Sequence, residues 1–475
     1  MTRAIPFEPY QLTPFDHLFS VFYGGCALSF RVSCPDDAVP TLCAGLDRLV
    51  SHLPFLTGQV IQKGKRMEVH SLPPTTRGSS PPLYVVRHFP NLRLPSKPKC
   101  RSQFCGDYIR DESLILAPRG LCSLAGTPIV RFQINVLADG IILVLWVNHM
   151  AIDGTGVGKM IEALSICCQA EVNPGTARQL PTAPAAEAAT RAILADFWTS
   201  PSSTITETET ETDGPPALGE DEHHDSSLVD VDFCFSASKV QRLRDCVRGL
   251  LRDNKGGGQT ILDISCDDIV TAFLWISLSR VRRRSLKDGQ NTITSNLTRA
   301  VDVRKRLNNP VPDTYLGNCV VLPKETLPLE ELDWRNPGPD NDDQHLCRLL
   351  APLLSQVAGI LRARLHTVND QYIRGTFSPS SHSDSGPGPH VFVSSIRHMK
   401  VYEHDFGPFL GHPEGIDLLP YMRPDAVCTI KPKRADGDWD IGVTLNREDI
   451  TLLTADPWFG WISEKASPFR VFESV

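Results

Sequence analysis

A polar tract over residues 172–227 most constrains how this 475-residue chain can fold. The tract is rich in Pro, Gly and repeated Thr-Glu pairs, and residues 201–226 hold eight acidic residues and no Lys or Arg. Such a composition buries too little apolar surface to stay folded. We therefore expect a crossover with a disordered tip and a short helix near 186–198, which separates a first half, 1–171, from a second half, 228–475.

Both halves mix strand and helix patterns. In the first half, apolar residues at helical spacing predict a helix over 38–53, and an Asp-Gly turn predicts a hairpin within 129–147. In the second half, Ser265 begins a predicted helix, an amphipathic helix is expected over 342–373, and the insert 378–390 reads as a mobile loop. The predicted fold class is α/β, with two related domains, each a mixed sheet with flanking helices, and a ligand cleft at their interface.

Charge and composition exclude several classes of function. The net charge is −7, but without the eight acids of the tract the chain has 48 basic and 47 acidic residues, so bulk charge predicts no nucleic-acid partner. No apolar run reaches the roughly 20 residues of a membrane span, and the N-terminus lacks the apolar core of a signal peptide. The 14 cysteines are scattered without zinc-site spacing. We expect a cytoplasmic protein with reduced thiols, no metal and no membrane partner.

The segment IILVLWVNHMAIDGTGVGKM, 141–160, carries the strongest functional signal. An apolar strand ends at a turn that contains a His, an Asp and three glycines before a predicted helix. A phosphate-binding loop is one interpretation, but such a loop requires Gly at Asp153 and Ser or Thr at Met160. A second interpretation is structural, with a capping Asp, permissive glycines and a core His.

The third interpretation is catalytic, because a His at a strand end can project into the interdomain cleft and accept a proton near neutral pH. His149 is the candidate base, Asp153 is expected to fix the loop, and Gly154 is expected to allow a sharp turn. A second His-x-x-x-Asp, at His366 and Asp370, lies inside the predicted long helix, where the two side chains are expected to pair.

Four segments in order carry a family resemblance: LTPFDHL at 12–18, HMAIDG at 149–154, VDVRKRL at 301–307 with YLGN at 315–318, and SSIRHMKVYEHDFGPFLG at 394–411. Together they resemble the BAHD and fungal trichothecene 3-O-acetyltransferase-like acyltransferases, known by their HxxxD motif. The resemblance implies two chloramphenicol-acetyltransferase-like domains with an active-site channel between them.

The resemblance also implies roles for residues of the first motif and its partner. His149 would be the general base, reached from opposite sides by acyl-CoA and by the acceptor. Asp153 would point away from the reaction and pair with Arg304 across the interface, with Gly154 supporting the loop.

The matching segments of the second half imply further roles. Ser394, or alternatively Ser395, would donate to the oxyanion. Asp405 and Gly407 would belong to a structural motif remote from the chemistry, and Asn318 would pack the domain interface. Ile396 replaces a Trp that is common in the family, which changes the acceptor pocket.

The expected activity is acyl-CoA-dependent O-acylation, with acetyl-CoA as the co-substrate and the hydroxyl of a hydrophobic small molecule as acceptor. The fungal character of the motifs suggests secondary metabolism, and a monomer is expected. Two alternatives remain open from the sequence: an N-acyltransferase or condensation-type enzyme of the same fold, and a non-catalytic binding module.

Overall fold

A computed structural model gives the fold and describes residues 5–19, 23–72, 82–94, 127–172, 178–199, 228–253, 263–283, 294–334, 342–378, 388–419, 425–464 and 470–471. Residues 200–227, which include the expected disordered tip of the polar tract, and most of the 378–390 insert lie outside the described residues.

Strands and helices alternate through both halves. The strands are β1 Tyr10–Gln11, β2 Tyr23–Arg31, β3 Gln59–Lys63, β4 Arg66–His70, β5 Tyr84–Phe89, β6 Thr127–Pro128, β7 Val130–Leu137, β8 Gly140–Asn148, β9 Leu228–Phe235, β10 Thr294–Arg299, β11 Val301–Asp302, β12 Val320–Val321, β13 Lys324–Pro328, β14 His390–Ser395, β15 Gly415–Leu419, β16 Val427–Ile430, β17 Trp439–Asn446, β18 Ser463–Glu464 and β19 Arg470–Val471. The helices are α1 Pro35–His52, α2 Gly154–Val172, α3 Pro184–Ala195, α4 Ala237–Asp253, α5 Cys266–Arg283, α6 Asp343–Thr367, α7 Asp370–Thr376, α8 Arg447–Ala455 and α9 Pro457–Ile462.

The first half is built on a five-stranded sheet in the order β15-β2-β8-β7-β5. β7 and β8 form the predicted hairpin, and every residue of β8 is buried. One face of this sheet packs on α1 and α2 in a single apolar core. A smaller sheet, β1-β4-β3-β6, lies beside it. The central strand β8 therefore carries its last residues to one end of a rigid sheet.

The second half is built on a larger sheet in the order β13-β10-β14-β16-β17-β9-β18, with β19 also paired to β9. Its apolar face packs on α4, α5 and α6. The predicted start of α5 is confirmed: Ser265 Oγ donates to Asp268 Oδ2 at 2.7 Å and accepts the Asp268 N–H at 3.2 Å. This reciprocal cap satisfies donors that the first turn of a helix leaves free.

One strand of the second half joins the sheet of the first. β15 pairs antiparallel with β2, from Gly415 opposite Ser29 to Leu419 opposite Gly25. The sequence-based division places β15 in the second half, 228–475, whereas in the structure β15 is part of the first-half sheet. The physical reason is that β2 would otherwise present an unpaired edge, and β15 satisfies its backbone groups.

The long helix expected over 342–373 is two helices. α6 ends at Thr367, and Asn369 begins α7 by accepting the Tyr372 N–H on its side chain. The expected pairing of His366 with Asp370 is wrong, because the helix breaks between them and His366 is exposed. α6 is long and apolar enough in composition to cross a membrane, yet its apolar stripe packs in the second-half core.

The short helix expected inside the polar tract is confirmed as α3. Glu187 lies in its first turn and is only 1% exposed. Its carboxylate accepts the Thr182 hydroxyl at 2.8 Å and the Leu316 N–H at 3.2 Å. The tract is therefore tied to the second half by a buried acid that its polar composition conceals.

Candidate active site

β8 ends at Asn148, which closes the turn that follows. Its side-chain Oδ1 accepts the N–H of Met150 at 3.1 Å, and its carbonyl accepts the N–H groups of Ala151 and Ile152 at 2.9 and 3.2 Å. These bonds fix the turn to the last residue of a buried strand. They leave His149 at the strand end, as a partly exposed residue whose ring Nδ1 is buried.

The His149 imidazole lies against an aromatic ring from the N-terminal segment. The ring centroids of Phe19 and His149 are 4.7 Å apart, with the planes tilted by 36°. On another side, a Cβ added to Gly24 would lie 3.7 Å from His149 Cδ2, so β2 also approaches the ring. The imidazole is thus held between the N-terminal segment and the first sheet.

Burial lowers the pKa of His149 below its ordinary value of 6.5. The negative charge of Asp153 and a hydrogen bond between the imidazole and the backbone of His149 raise that pKa, but by less than burial lowers it. A lowered pKa keeps the imidazole neutral at neutral pH, the form that accepts a proton. His149 is therefore chemically suited to act as a general base.

Asp153 is fully engaged in holding the loop. Its Oδ1 accepts the Gly156 N–H at 2.8 Å, which caps the start of α2, and its Oδ2 accepts the Cys319 N–H at 3.0 Å. Arg304 Nη2 lies 3.0 Å from the carboxylate, so the predicted pairing of Asp153 with Arg304 is present. A carboxylate with these partners positions the loop and does not act as a second base.

Arg304 links the loop to the second half. It is 1% exposed, and its Nη1 donates to Asp302 at 2.8 Å. Nη2 also donates to the carbonyls of Tyr315 and Gly317, at 3.1 and 2.9 Å. The neighbouring carboxylates raise the pKa of Arg304, although burial opposes them. This buried ion pair connects motifs that are about 150 residues apart in sequence.

Asn318 joins three segments at one amide. Its Nδ2 lies 2.9 Å from the carbonyl of His149, 3.0 Å from that of Met150 and 2.9 Å from Asp16 Oδ1. The expected role at the domain interface is thus seen as direct contact with the backbone of the candidate base.

The glycines of the motif are explained by close approach of the second half. A Cβ on Gly156 would lie 1.9 Å from the Leu316 carbonyl oxygen, and a Cβ on Gly154 would lie 3.1 Å from Ile396 Cγ2. The expectation that Gly154 permits a sharp turn is wrong, since it is the first residue of α2 and its φ is not positive. Gly154 instead leaves room for Ile396.

The two serine candidates lie on opposite faces of β14. Ser395 Oγ donates to Asp267 Oδ1 at 2.9 Å, at the start of α5 on the helix-covered face. Because side chains alternate along a strand, Ser394 shares the other face with Ile396, which packs against the first-half core. The alternative Ser395 is therefore committed to α5, and Ser394 faces the first half.

The Asp405-Phe406-Gly407 motif shapes a loop in the first-half core. Asp405 Oδ1 accepts the Gly407 N–H at 2.9 Å, and Gly407 adopts a φ of +94°, which favours glycine. The Phe406 ring packs edge-on against Phe30, with centroids 4.9 Å apart. Phe30 pairs with Ile141 at the end of β8 away from the turn, so the motif is distant from the candidate base.

Other interpretations fare differently. The phosphate-loop alternative is wrong, because Asp153 already accepts the N–H that a phosphate would need at the start of α2. Within the described residues, no group of three or more His, Cys, Asp or Glu could hold a metal ion.

Sequence reasoning missed two residues of this site. Asp16 and Phe19 contact Asn318 and His149, respectively, yet neither received a role. Asp16 lies within the LTPFDHL match, and an acid inside an apolar segment is a signal that could have identified it. Phe19 gave no such signal, because an isolated aromatic residue is typical of any core.

The fold and the site together define a two-domain acyltransferase of the HxxxD class. Models of the Transferase family and of the trichothecene 3-O-acetyltransferase-like N-terminal domain match residues 116–458 and 23–168. The O-acetyltransferase cpsE of Aspergillus campestris is 32% identical over all of both chains. The fumigaclavine B O-acetyltransferase easN of Aspergillus fumigatus is 30% identical over 98% of this chain and 99% of its own.

Among solved structures, TRI101 of F. graminearum, determined with coenzyme A and deoxynivalenol, superposes with a TM-score of 0.65. It is 22% identical and covers 96% of this chain and 99% of its own, so it confirms the predicted fold. The chain belongs to the Transferase family, and the resemblance to fungal acyltransferases is confirmed.

Proposed function

We propose that the protein transfers the acyl group of acyl-CoA to a hydroxyl of a hydrophobic small molecule of secondary metabolism, with acetyl-CoA as the preferred donor. We propose further that it acts in the cytoplasm as a monomer. The observation that carries the reaction is His149, a partly exposed residue at the end of a buried strand, the pKa of whose imidazole is lowered by burial. The O-acetyltransferase names of the relatives support the acyl group and the kind of acceptor.

In this reaction His149 takes the proton of the acceptor hydroxyl as its oxygen attacks the thioester carbonyl. The carbon–sulfur bond then breaks, and the imidazolium returns the proton to the leaving thiolate of CoA. A positioned general base contributes about 10²–10⁴-fold to such a step. The proton makes a round trip, so the enzyme ends in its starting state.

Ser394 is the proposed donor to the tetrahedral oxyanion. The support for Ser394 is its position on the same face of β14 as Ile396, which packs against the first-half core. The Ser395 hydroxyl, by contrast, donates to Asp267. One oxyanion donor is worth about 10²–10³-fold in rate. Asp153, Arg304 and Asn318 position the base without touching the reacting atoms.

The test measures free thiol released from acetyl-CoA with a panel of hydroxyl compounds and a matched panel of amines. We expect release with hydroxyl compounds, and a loss of about 10²–10⁴-fold in His149→Ala. His366→Ala is the matched control, since it removes the exposed His of the second His-x-x-x-Asp and should keep full activity.

Each alternative has its own outcome. Thiol release with amines alone would favour the N-acyltransferase alternative. No release with either panel, together with an altered melting temperature of His149→Ala, would favour a binding module. Equal losses in both His variants would contradict the assignment of the base.

A further inference from the structure

Residues 13–19 form a segment closed by internal hydrogen bonds, here called the N-terminal strap. The Thr13 N–H and hydroxyl donate to Asp16 Oδ2 at 2.7 and 2.8 Å. His17 Nδ1 donates to the Thr13 carbonyl at 2.9 Å, while its Nε2 accepts the Met67 N–H at 3.2 Å. The strap is thus closed on itself and bound to β4 of the first half.

Asp16 ties the strap to the second half and to the base. It is 1% exposed, and its Oδ1 accepts both the N–H and the side-chain amide of Asn318, at 3.2 and 2.9 Å. The same amide donates to the carbonyl of His149. The strap and the backbone of the base therefore share one anchor.

Phe19 follows directly from this anchor. Its N–H donates to the Asp16 carbonyl at 3.3 Å, and its ring lies 4.7 Å from the His149 ring. A buried acid with four donors is a strong constraint for a residue three positions later in the chain. Asp16 therefore fixes the backbone from which the Phe19 ring reaches the imidazole.

We propose that Phe19 is a positioning residue that keeps bulk water from the His149 imidazole, so that the base serves a bound hydroxyl in preference to water. This inference rests on the proposed function. In the unwanted reaction, water attacks the thioester carbonyl, the carbon–sulfur bond breaks, and acetic acid, which loses its proton to solvent, and CoA are released. One proton of the attacking water passes to His149 and then to the leaving sulfur, so this reaction differs from acyl transfer only in the nucleophile.

The test compares two rates in wild type and Phe19→Ala. One is CoA release from acetyl-CoA in buffer alone, and the other is ester formation with the hydroxyl compound that turns over fastest in the panel. We expect the ratio of hydrolysis to transfer to rise about tenfold, because the ring no longer excludes water. Phe19→Leu should restore most of the wild-type ratio, since it keeps apolar bulk at the same position.

Phe89→Ala is the matched control, a partly exposed ring opposite Leu137 at the hairpin end of the same sheet. It should leave the ratio unchanged. A ratio unchanged in Phe19→Ala, or transfer and hydrolysis falling in equal proportion, would overturn the inference and leave only a packing role for the ring.

A second measurement separates this inference from the proposed function. Diethyl pyrocarbonate modifies exposed imidazoles, and peptide mass spectrometry reports modification of His149 without any turnover. We expect faster modification of His149 in Phe19→Ala than in wild type and a rate close to wild type in Phe19→Leu, with His366 as the internal standard. Equal rates would contradict shielding even if transfer is observed, and a wild type that acylates nothing would contradict the proposed function alone.

Discussion

The chain contains the pattern His-x-x-x-Asp twice, and the two copies fold differently. At His149 and Asp153 the pattern spans a strand end, a turn and a helix start. At His366 and Asp370 it spans the end of α6 and the start of α7. Both carboxylates accept backbone N–H groups from distant segments, Asp153 from Cys319 and Asp370 from Asn308.

The difference therefore lies in the histidine. His149 follows a fully buried strand and lies against Phe19, so burial lowers its pKa. His366 is exposed on the last turn of a surface-facing helix segment. The His-x-x-x-Asp spacing alone therefore accounts only for an Asp that holds a loop. A general base additionally requires surroundings that adjust the pKa of the imidazole.

The largest expected difference between the copies is in stability. In Asp153→Ala the buried Arg304 loses a carboxylate, which should cost about 3–5 kcal/mol of unfolding free energy. Asp370→Ala loses a partly exposed ion pair with Arg374 and one hydrogen bond, worth about 1 kcal/mol. Urea unfolding of both variants measures this, and equal losses would break the comparison. Dead chemistry with unchanged melting in Asp153→Ala would show a direct role in the reaction.

The second prediction concerns the hydroxyl of Ser394, which lies on the face of β14 that is directed toward the first half. Ser394→Ala should lower kcat by about 10²–10³-fold if the site around His149 includes an oxyanion donor on β14. Ser395→Ala is the matched control, because its hydroxyl donates to Asp267 on the opposite face, and it should keep kcat. The two kcat values measured by CoA release decide this, and a reversed order would assign the donor to Ser395.

A smaller effect is expected from glycines near the two copies. Gly156→Ala places a Cβ against the Leu316 carbonyl, and the required shift should cost about 1–3 kcal/mol. Gly375→Ala, in α7 after Asp370, meets no atom within 4 Å and should gain about 0.5–1 kcal/mol. Thermal melting of both variants provides the measurement. Matching shifts would show that α2 does not approach the second half as closely as described.

The smallest expected effect concerns pH. Because burial lowers the pKa of His149, kcat/KM should rise as the imidazole deprotonates, with the midpoint of the rise below pH 6.5, the ordinary pKa of His. Activity is thus lost only on the acid side of that lowered pKa. Rates measured across about pH 5–8 test this, with fluorescence at each pH as a control for folding. A midpoint at or above pH 6.5 would mean that the ring is more solvated than the structure shows.

Much of the site was predictable from sequence. The strand-turn-helix at His149 follows from an apolar run ending at polar residues and glycines, and the pairing of Asp153 with Arg304 was implied by the family resemblance. The roles of Gly154 and Ser395 were less accessible. Gly154 leaves space for the side chain of Ile396, which is far away in the chain. The choice between Ser394 and Ser395 depends on which face of β14 meets α5.

The sequence by itself indicated the family, the two mixed halves, the hairpin that ends just before His149 and the choice of His149 as the candidate base, because these depend on local periodicity and ordered motifs. Only the tertiary structure decided that β15 pairs with β2, that Asn318 joins Asp16 to the carbonyl of His149, and that Phe19 lies on the imidazole. These contacts join residues about 130–390 positions apart. Distances of that kind are set by how sheets and helices pack, which no local pattern encodes.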